Sequence, residues 1–345
     1  MATSNSVLGR IFPVSCFTIQ VVPGKGLGVI ATRPICKGEL VLAESPLMRI
    51  TMSHYLAEDV EAVFETLGEE QKVAYMSLAS AHGQDPSLYP SATSPSVTNK
   101  RERRRIQEQH EARTNDVRTV FSIFITNAMQ VEEGAGIFEL ASRFNHDCVP
   151  NACFSWDEGR QLETVHAVKD ITEGEASCPI PFIGDVFRID AAQEITLCYC
   201  DPYFDISMRR WELKHYGFQC RCKACINPDD PKSFAFASRE RRWKLRELDI
   251  ELRVAAKDTD RLRIRIETVA TMREEGLCCP MMAHMYLEIA RGFERGGDVE
   301  KAVKAATKAL ETYTICLGIA NEKTQDAAKS VRAFEKQRVG GALKT

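Results

Sequence analysis

Arg143-Phe144-Asn145-His146-Asp147-Cys148-Val149-Pro150-Asn151 gathers two asparagines, a histidine, a cysteine and a proline into one short stretch. Asn145 and Asn151 tolerate tight, left-handed backbone. Pro150 stiffens the exit and biases Val149 away from helix. His146 and Cys148 can act as metal ligands or as polar anchors. Two downstream stretches can complete a site with this one. The first is Glu194-Ile195-Thr196-Leu197-Cys198-Tyr199. The second, Phe218-Gln219-Cys220-Arg221-Cys222-Lys223-Ala224-Cys225, carries its cysteines as C-x-C-x2-C. That is one thiolate short of the four a closed zinc site needs, and Cys148 is a candidate for the fourth.

The chain has 345 residues, room for one large domain or two smaller ones. A hydrophobic content of 44% supports a real core. The net charge of -3 argues against a general nucleic-acid binder. Met1 to Arg10 is polar, so no signal peptide is expected, and no apolar run is long enough to span a membrane. Thirteen cysteines make an odd count, which fits reduced thiols plus a metal site better than a disulfide framework.

Read in order, residues 15–50 form short strands. Phe17, Ile19 and Val21 alternate, Pro23-Gly24-Lys25-Gly26-Leu27-Gly28 turns, and Val29-Ile30-Ala31 resumes. The glycines let the backbone pass close to another group. No helix opens directly after them, so this is not a dinucleotide fingerprint. Residues 51–117 are an insert of helix and loop: Val60, Val63, Phe64 and Leu67 recur at helical spacing, and residues 83–99 are rich in Pro, Ser and Thr. The basic run Lys100 to Arg105 reads as a solvated helix face. Val117 to Val131 is apolar at helical spacing, with Asn127 as a surface or cap residue unless that face turns toward a cofactor. Ala152–Trp156 and Leu162–Val168 form a hairpin, and Met208 to Tyr216 is helical. From Ser233 the chain is helical. Trp243, Leu245, Leu248 and Leu252 make one stripe. Met281–Arg295 and Asp298–Leu317 pair across Gly296-Gly297, with Asp298 as N-cap. That pair resembles one tetratricopeptide unit.

These motifs resemble those of a SET-domain methyltransferase, in the SET–MYND branch and its fungal relatives. Gly24-Lys25-Gly26-Leu27-Gly28 is similar to the family's first cofactor loop, Asn145 to Asn151 to its N-H-S-C-x-P-N, Glu194 to Tyr199 to its E-I-T-x-x-Y strand, and Cys220 to Cys225 to its post-SET cysteines. The resemblance implies an α+β fold of small β-sheets around a threaded, pseudoknotted segment. Residues 1–50 and 118–206 would be the two parts of the SET domain, 51–117 a helical insert, 207–226 a post-SET zinc segment, and 227–345 a tetratricopeptide-like tail. It implies S-adenosylmethionine against Lys25, Gly26, Leu27, Asn127, Asn145, His146 and Phe218. Tyr199 would be catalytic, and zinc would be held by Cys148, Cys220, Cys222 and Cys225. Cys198 and Cys200 are expected to be small buried residues, not ligands. The expected activity is methyl transfer to a lysine of a histone or non-histone protein. The expected protein is a monomer of nucleus or cytoplasm, with no direct nucleic-acid contact.

Three departures stand out. Asp147 replaces the family's serine and brings a charge close to cofactor and metal. No cysteine–histidine cluster appears in residues 51–117, so the MYND zinc module is absent. Residues 176–193 separate Gly174-Glu175 from Glu194-Ile195-Thr196, and deleting them restores the family's continuous G-E-E-I-T. They read as an insertion of the kind a retained intron leaves. Asp147 and the insertion favour a rival reading, a SET scaffold with little turnover whose helical tail recruits partners. A third reading is a zinc-stabilised helical adaptor.

Overall fold

The computed structural model describes residues 16–88, 97, 99–171 and 193–342. β1 (Phe17–Val22) and β2 (Gly26–Ala31) form a hairpin whose turn uses positive φ at Gly24 and Gly26, 74° and 77°. β3 (Leu40–Glu44) and β4 (Met48–Ile50) follow. The insert folds as α1 (Ala57–Glu65), α2 (Glu69–Met76) and α3 (Lys100–Thr114). α3 is the solvated basic helix expected, with Arg104 paired to Glu58 and Glu108, and Arg101 to Asp59.

The apolar stretch to Val131 is not one helix. α4 (Val120–Asn127) ends at Asn127, whose Nδ2 donates back to the Ile123 carbonyl, and β5 (Met129–Val131) pairs with β6 (Gly134–Ile137). Strand pairing here overrides the helical period. The opening motif then supplies β7 (Asn145–His146), followed by the hairpin β8 (Ala152–Asp157) and β9 (Leu162–Ala167), and by β10 (Glu194–Leu197). α5 (Ile206–Lys214) leads to the cysteines.

The sheets are β1-β2-β10-β7, β3-β9-β8 and β4-β6-β5. In the first, β10 lies between β2 and β7, although it follows β7 in sequence. It pairs antiparallel to β2 and parallel to β7, so the chain threads through itself. Asn151 fastens the thread: Thr196 N donates to its Oδ1 at 2.8 Å, and its Nδ2 donates to the Glu194 carbonyl at 2.9 Å. Residues 172–192 lie outside the described residues, which takes in all of the expected insertion except Gln193. The Gln193 carbonyl accepts from Ala31 N at 3.0 Å, so β10 starts already registered on β2.

The tail is α6 (Phe234–Val254), α7 (Asp258–Glu275), α8 (Pro280–Arg295), α9 (Val299–Leu317) and α10 (Glu322–Ala342), each packed on the next. Asp298 caps α9 as expected, accepting from Lys301 N at 3.0 Å. Ala302, Ala305, Ala306 and Ala309 are buried, which lets α9 approach its neighbours closely. Leu245 and Leu248 of the expected stripe are buried, but Trp243 is 53% exposed, because its indole turns outward to donate to Glu247. No helix among the described residues is long and apolar enough to cross a membrane.

A buried ion pair latches the tail to the thread. Arg242 and Glu275 are both 0% exposed, with Arg242 Nε donating to Glu275 Oε1 at 2.9 Å. The other guanidinium nitrogens donate to the carbonyls of Pro202 and Cys148, both at 2.6 Å. Removing one partner of such a pair costs about 3–5 kcal/mol where the other charge is stranded; Glu275 keeps Arg241 and Ser238, so the lower end, about 3 kcal/mol, applies here. Arg242→Ala should therefore lose that much in urea unfolding; a loss below ~1 kcal/mol would contradict the latch.

Glu163, in the middle of β9, is fully buried, and both its carboxyl oxygens lack a hydrogen-bond partner among the described residues. It stands opposite Glu44 of β3, whose carboxylate instead accepts from Leu140 N and Ala141 N. Burial, with Glu44 adding to it, pushes the Glu163 carboxyl up from 4.5 to about 8. The folded state thus holds a proton that the unfolded chain has released. Stability should fall as pH rises from about 4.5 to about 8, at up to ~1.36 kcal/mol per unit. Glu163→Gln should flatten that slope in denaturant melts across this range, and an unchanged slope would rule Glu163 out as its source.

Candidate active site and metal centre

Side chains on a strand alternate between faces, and β7 uses both. Asn145 faces β2. Its Nδ2 donates to Glu194 Oε1 at 2.8 Å and to the Leu27 carbonyl at 3.1 Å. Lys25 Nζ reaches Glu194 Oε2 at 2.5 Å, so Glu194 ties the β1–β2 turn to the thread. Gly28 is needed here. A Cβ at that position would lie 2.7 Å from Asn145 Nδ2 and 2.6 Å from Val22 Cγ2, too close for either.

Between these elements lies a cavity of about 600 Å³, within the usual range for small-molecule sites. Of the cofactor residues expected from sequence, Lys25, Gly26, Leu27, Asn127, Asn145 and Phe218 line it, and so does Tyr199. A Cβ built on Gly26 meets nothing within 4 Å, so the backbone is open to a ligand there. Asn127 is buried and not on the surface; its Nδ2 also donates to the Ala79 carbonyl at 2.7 Å. His146 is the exception. It is buried, and its ring does not line the cavity.

Tyr199 follows β10. Its amide donates to His146 Nδ1 at 3.0 Å and its hydroxyl to the Phe144 carbonyl. Burial pushes its phenol up, so it stays protonated near neutral pH. Tyr216 and Phe218 stand beside it, with ring centroids 4.9 and 6.4 Å away. Burial likewise pushes the Tyr216 phenol up to about 12. The result is a pocket wall of aromatic faces and neutral hydroxyls. Tyr216 and Glu194 escaped the sequence reading. Glu194 stood within a quoted motif but had no assigned role, and Tyr216 looked like the end of an ordinary helix.

On the opposite face of the thread, the sulfurs of Cys148, Cys220, Cys222 and Cys225 all lie within 4.8 Å of one another. A Zn–S bond of about 2.3 Å puts tetrahedral sulfurs about 3.8 Å apart. Cys148 lies 3.5 Å from Cys225 and 4.0 Å from Cys220, so the set fits that ion. Hydrogen bonds from neighbouring thiols, Cys148 first, hold Cys225 well below the usual thiol range and Cys222 at about 6. The buried Arg209 lies against the cluster, donating to the Ala224 carbonyl at 3.0 Å and reaching Cys225 Sγ at 3.8 Å. Its positive charge favours thiolates. An arginine on a short helix reads as solvated, so nothing in the sequence marked it. Cys198 and Cys200 stay outside the cluster, and Cys198 donates to the Cys200 carbonyl at 3.2 Å.

The Asp147 departure is absorbed locally. Its Oδ1 accepts from Val149 N at 2.8 Å, a turn that a serine hydroxyl can also make. Asp147 N still pairs with the Leu197 carbonyl at 2.9 Å, and burial pushes the carboxyl up.

Residues 26–176 match the SET-domain family model. That match covers less than half of the chain. Histone-lysine N-methyltransferase set5 of Schizosaccharomyces pombe is 28% identical over 218 residues, 62% of this chain and 51% of that protein. Human histone-lysine N-methyltransferase SMYD3 is 31% identical over 109 residues, 31% of this chain and 21% of its own. Mouse protein-lysine N-trimethyltransferase SMYD5 is 33% identical over 100 residues, 29% and 21% respectively. The chain thus spans about half the length of the fission-yeast relative and about a fifth of each mammalian one. Among solved structures, the SET domain of LSMT bound to lysine and AdoHcy gives a TM-score of 0.34 at 12% identity, covering 96% of this chain and 89% of that one, too loose a likeness to carry an argument.

Purified protein should contain about one zinc ion per chain by elemental analysis. Cys225→Ser should lose it, while Cys198→Ser and Cys200→Ser should keep it. Retention of zinc in Cys225→Ser would remove the site.

Proposed function

We propose that this SET-domain chain transfers a methyl group from S-adenosylmethionine to a lysine side chain of a protein. The observation that carries the reading is the convergence of Tyr199, Asn145 and the Lys25–Leu27 backbone on one cavity walled by Tyr216 and Phe218. The names of the three relatives described above, each a lysine methyltransferase, support it.

When bound, S-adenosylmethionine supplies a methyl carbon made electrophilic by its sulfonium. Lys25, Gly26, Leu27, Asn127, Asn145 and Phe218 would hold it, and His146 would act from behind the thread. The reaction forms a carbon–nitrogen bond as the carbon–sulfur bond breaks, so alignment is most of the task. A free lysine has a pKa of about 10.4, and losing its proton at pH 7 costs about 5 kcal/mol. A nearby positive charge and an apolar wall both lower that cost. Tyr199 spends its hydroxyl proton on the Phe144 carbonyl. Its oxygen can then accept an N–H from the incoming amine and aim the lone pair along the reaction axis. Neither tyrosine acts as a strong base, because burial keeps both phenols protonated.

Turnover is favoured over an inactive scaffold because the Asp147 carboxylate is taken up by its own turn and β10 keeps its register on both neighbours. The thiol cluster would hold zinc and pin the segment carrying Phe218 over the cavity.

Labelled methyl transfer into cell lysate tests the proposal. Tyr199→Phe should lower the rate on the order of 10²-fold, the usual effect of losing one transition-state hydrogen-bonding group, with S-adenosylhomocysteine binding retained. An unchanged rate would contradict the assigned role, and absence of transfer by the native protein across broad protein pools would favour the scaffold.

A further inference from the structure

The ring of His146 sits between the cavity wall and the thiol cluster and hydrogen-bonds to both, where Tyr199 and Tyr216 only pack against the thiols. Its Nδ1 lies 3.0 Å from the Tyr199 backbone nitrogen, and its Nε2 lies 3.2 Å from Cys148 Sγ. A backbone N–H can only donate, so Nδ1 must be the bare, accepting nitrogen. The proton of the neutral ring then belongs on Nε2, which donates to the Cys148 sulfur. The hydrogen bonds alone fix the tautomer. The ring is held by the thread itself, since His146 pairs with Leu197 in the parallel β7–β10 ladder, two residues before Tyr199. It is buried, with Tyr199 and Phe218 at ring centroid distances of 5.3 and 6.1 Å. Among the described residues, no other side chain lies within hydrogen-bond reach of either nitrogen.

We propose that His146 is a positioning residue that couples the metal centre to the catalytic tyrosine: Nε2–H fixes the Cys148 thiolate, and Nδ1 fixes the Tyr199 backbone at the cavity wall. The inference rests on the reading that the four thiols hold zinc. It assigns His146 a role other than cofactor contact. A hydrogen bond onto a ligating sulfur orients it toward the metal, and losing such an outer partner typically costs 10–100-fold in metal affinity. A hydrogen bond onto the Tyr199 amide sets where its ring and hydroxyl stand. Loss of metal therefore reaches the pocket through one imidazole, beside any effect on the Phe218 segment.

Three variants separate the two halves. Asparagine places an oxygen near the Nδ1 position but cannot reach Cys148. Glutamine reaches the Nε2 position with an N–H donor. Leucine keeps bulk and loses both bonds. Two readouts are taken on full-length zinc-loaded protein without substrate: zinc affinity by competition with a chromophoric chelator, and hydrogen exchange of the Tyr199 amide. His146→Asn should weaken zinc 10–100-fold while Tyr199 stays protected. His146→Gln should hold zinc near the parent affinity while Tyr199 exchange accelerates at least tenfold. His146→Leu should show both losses. The proposal is overturned if asparagine and glutamine variants behave alike in both readouts, either both native or both fully impaired, since a ring that only fills space would give that result. It is also overturned if the parent protein binds no zinc. Because neither readout needs turnover, a split as described together with no methyl transfer would count against the catalytic reading alone.

Discussion

A strand inserted late in the chain, between two that were laid down earlier, is the constraint from which the rest follows. β10 can enter only where β2 and β7 leave a gap, and Asn151 closes that gap by bonding both Glu194 and Thr196. The backbone groups of the thread are thereby satisfied inside the core, where an unpaired one costs on the order of a lost hydrogen bond. Once Glu194 is placed, Lys25 and Asn145 are fixed by its two carboxylate oxygens. Once Leu197 is placed, Tyr199 emerges beside the cavity. A single insertion thus builds the mouth of the pocket and one wall of it.

The thread also separates two chemistries by a single residue. Asn145 faces the cavity side and His146 the thiol side, because neighbouring strand residues point opposite ways. From the thiol side, the contacts reach outward to the tail. Arg242 holds the Cys148 carbonyl, Glu275 holds Arg242, and Ser238 and Arg241 complete the carboxylate's partners. The helical tail is therefore fastened to the backbone of a candidate metal ligand. It also covers the β3-β9-β8 sheet, where Gly318 lies tight against His166 and the Cys153 thiol donates to the Cys316 carbonyl.

Much of this was legible because it is written in local patterns. The spacing of Cys220, Cys222 and Cys225 asked for a fourth sulfur, and Cys148 is where the chain supplies one. The β8–β9 hairpin, the Gly296-Gly297 break and the Asp298 cap rest on turn and cap chemistry that acts over a few residues. What escaped depends on burial, which no window of sequence reports. Arg209 and Arg242 sit on amphipathic helices where an arginine normally meets water, yet both are fully buried. Glu163 lies within the expected hairpin, whose spacing said nothing of its burial, and is fully enclosed. Trp243 fell on an apolar stripe but faces out. His146 stands apart from Asn145, the only one of the two to line the cavity. It was grouped with Asn145 by motif, although simple alternation along β7 already assigns the two to opposite faces.

The central claim is that the metal centre and the cofactor cavity are one mechanical unit joined through Phe144 to Asn151. Calorimetric titration of S-adenosylhomocysteine into native, chelator-stripped and zinc-restored protein tests it most directly. Binding should weaken at least tenfold on stripping and return with zinc. Equal affinity in all three samples, with the stripped protein shown to be metal-free, would contradict it.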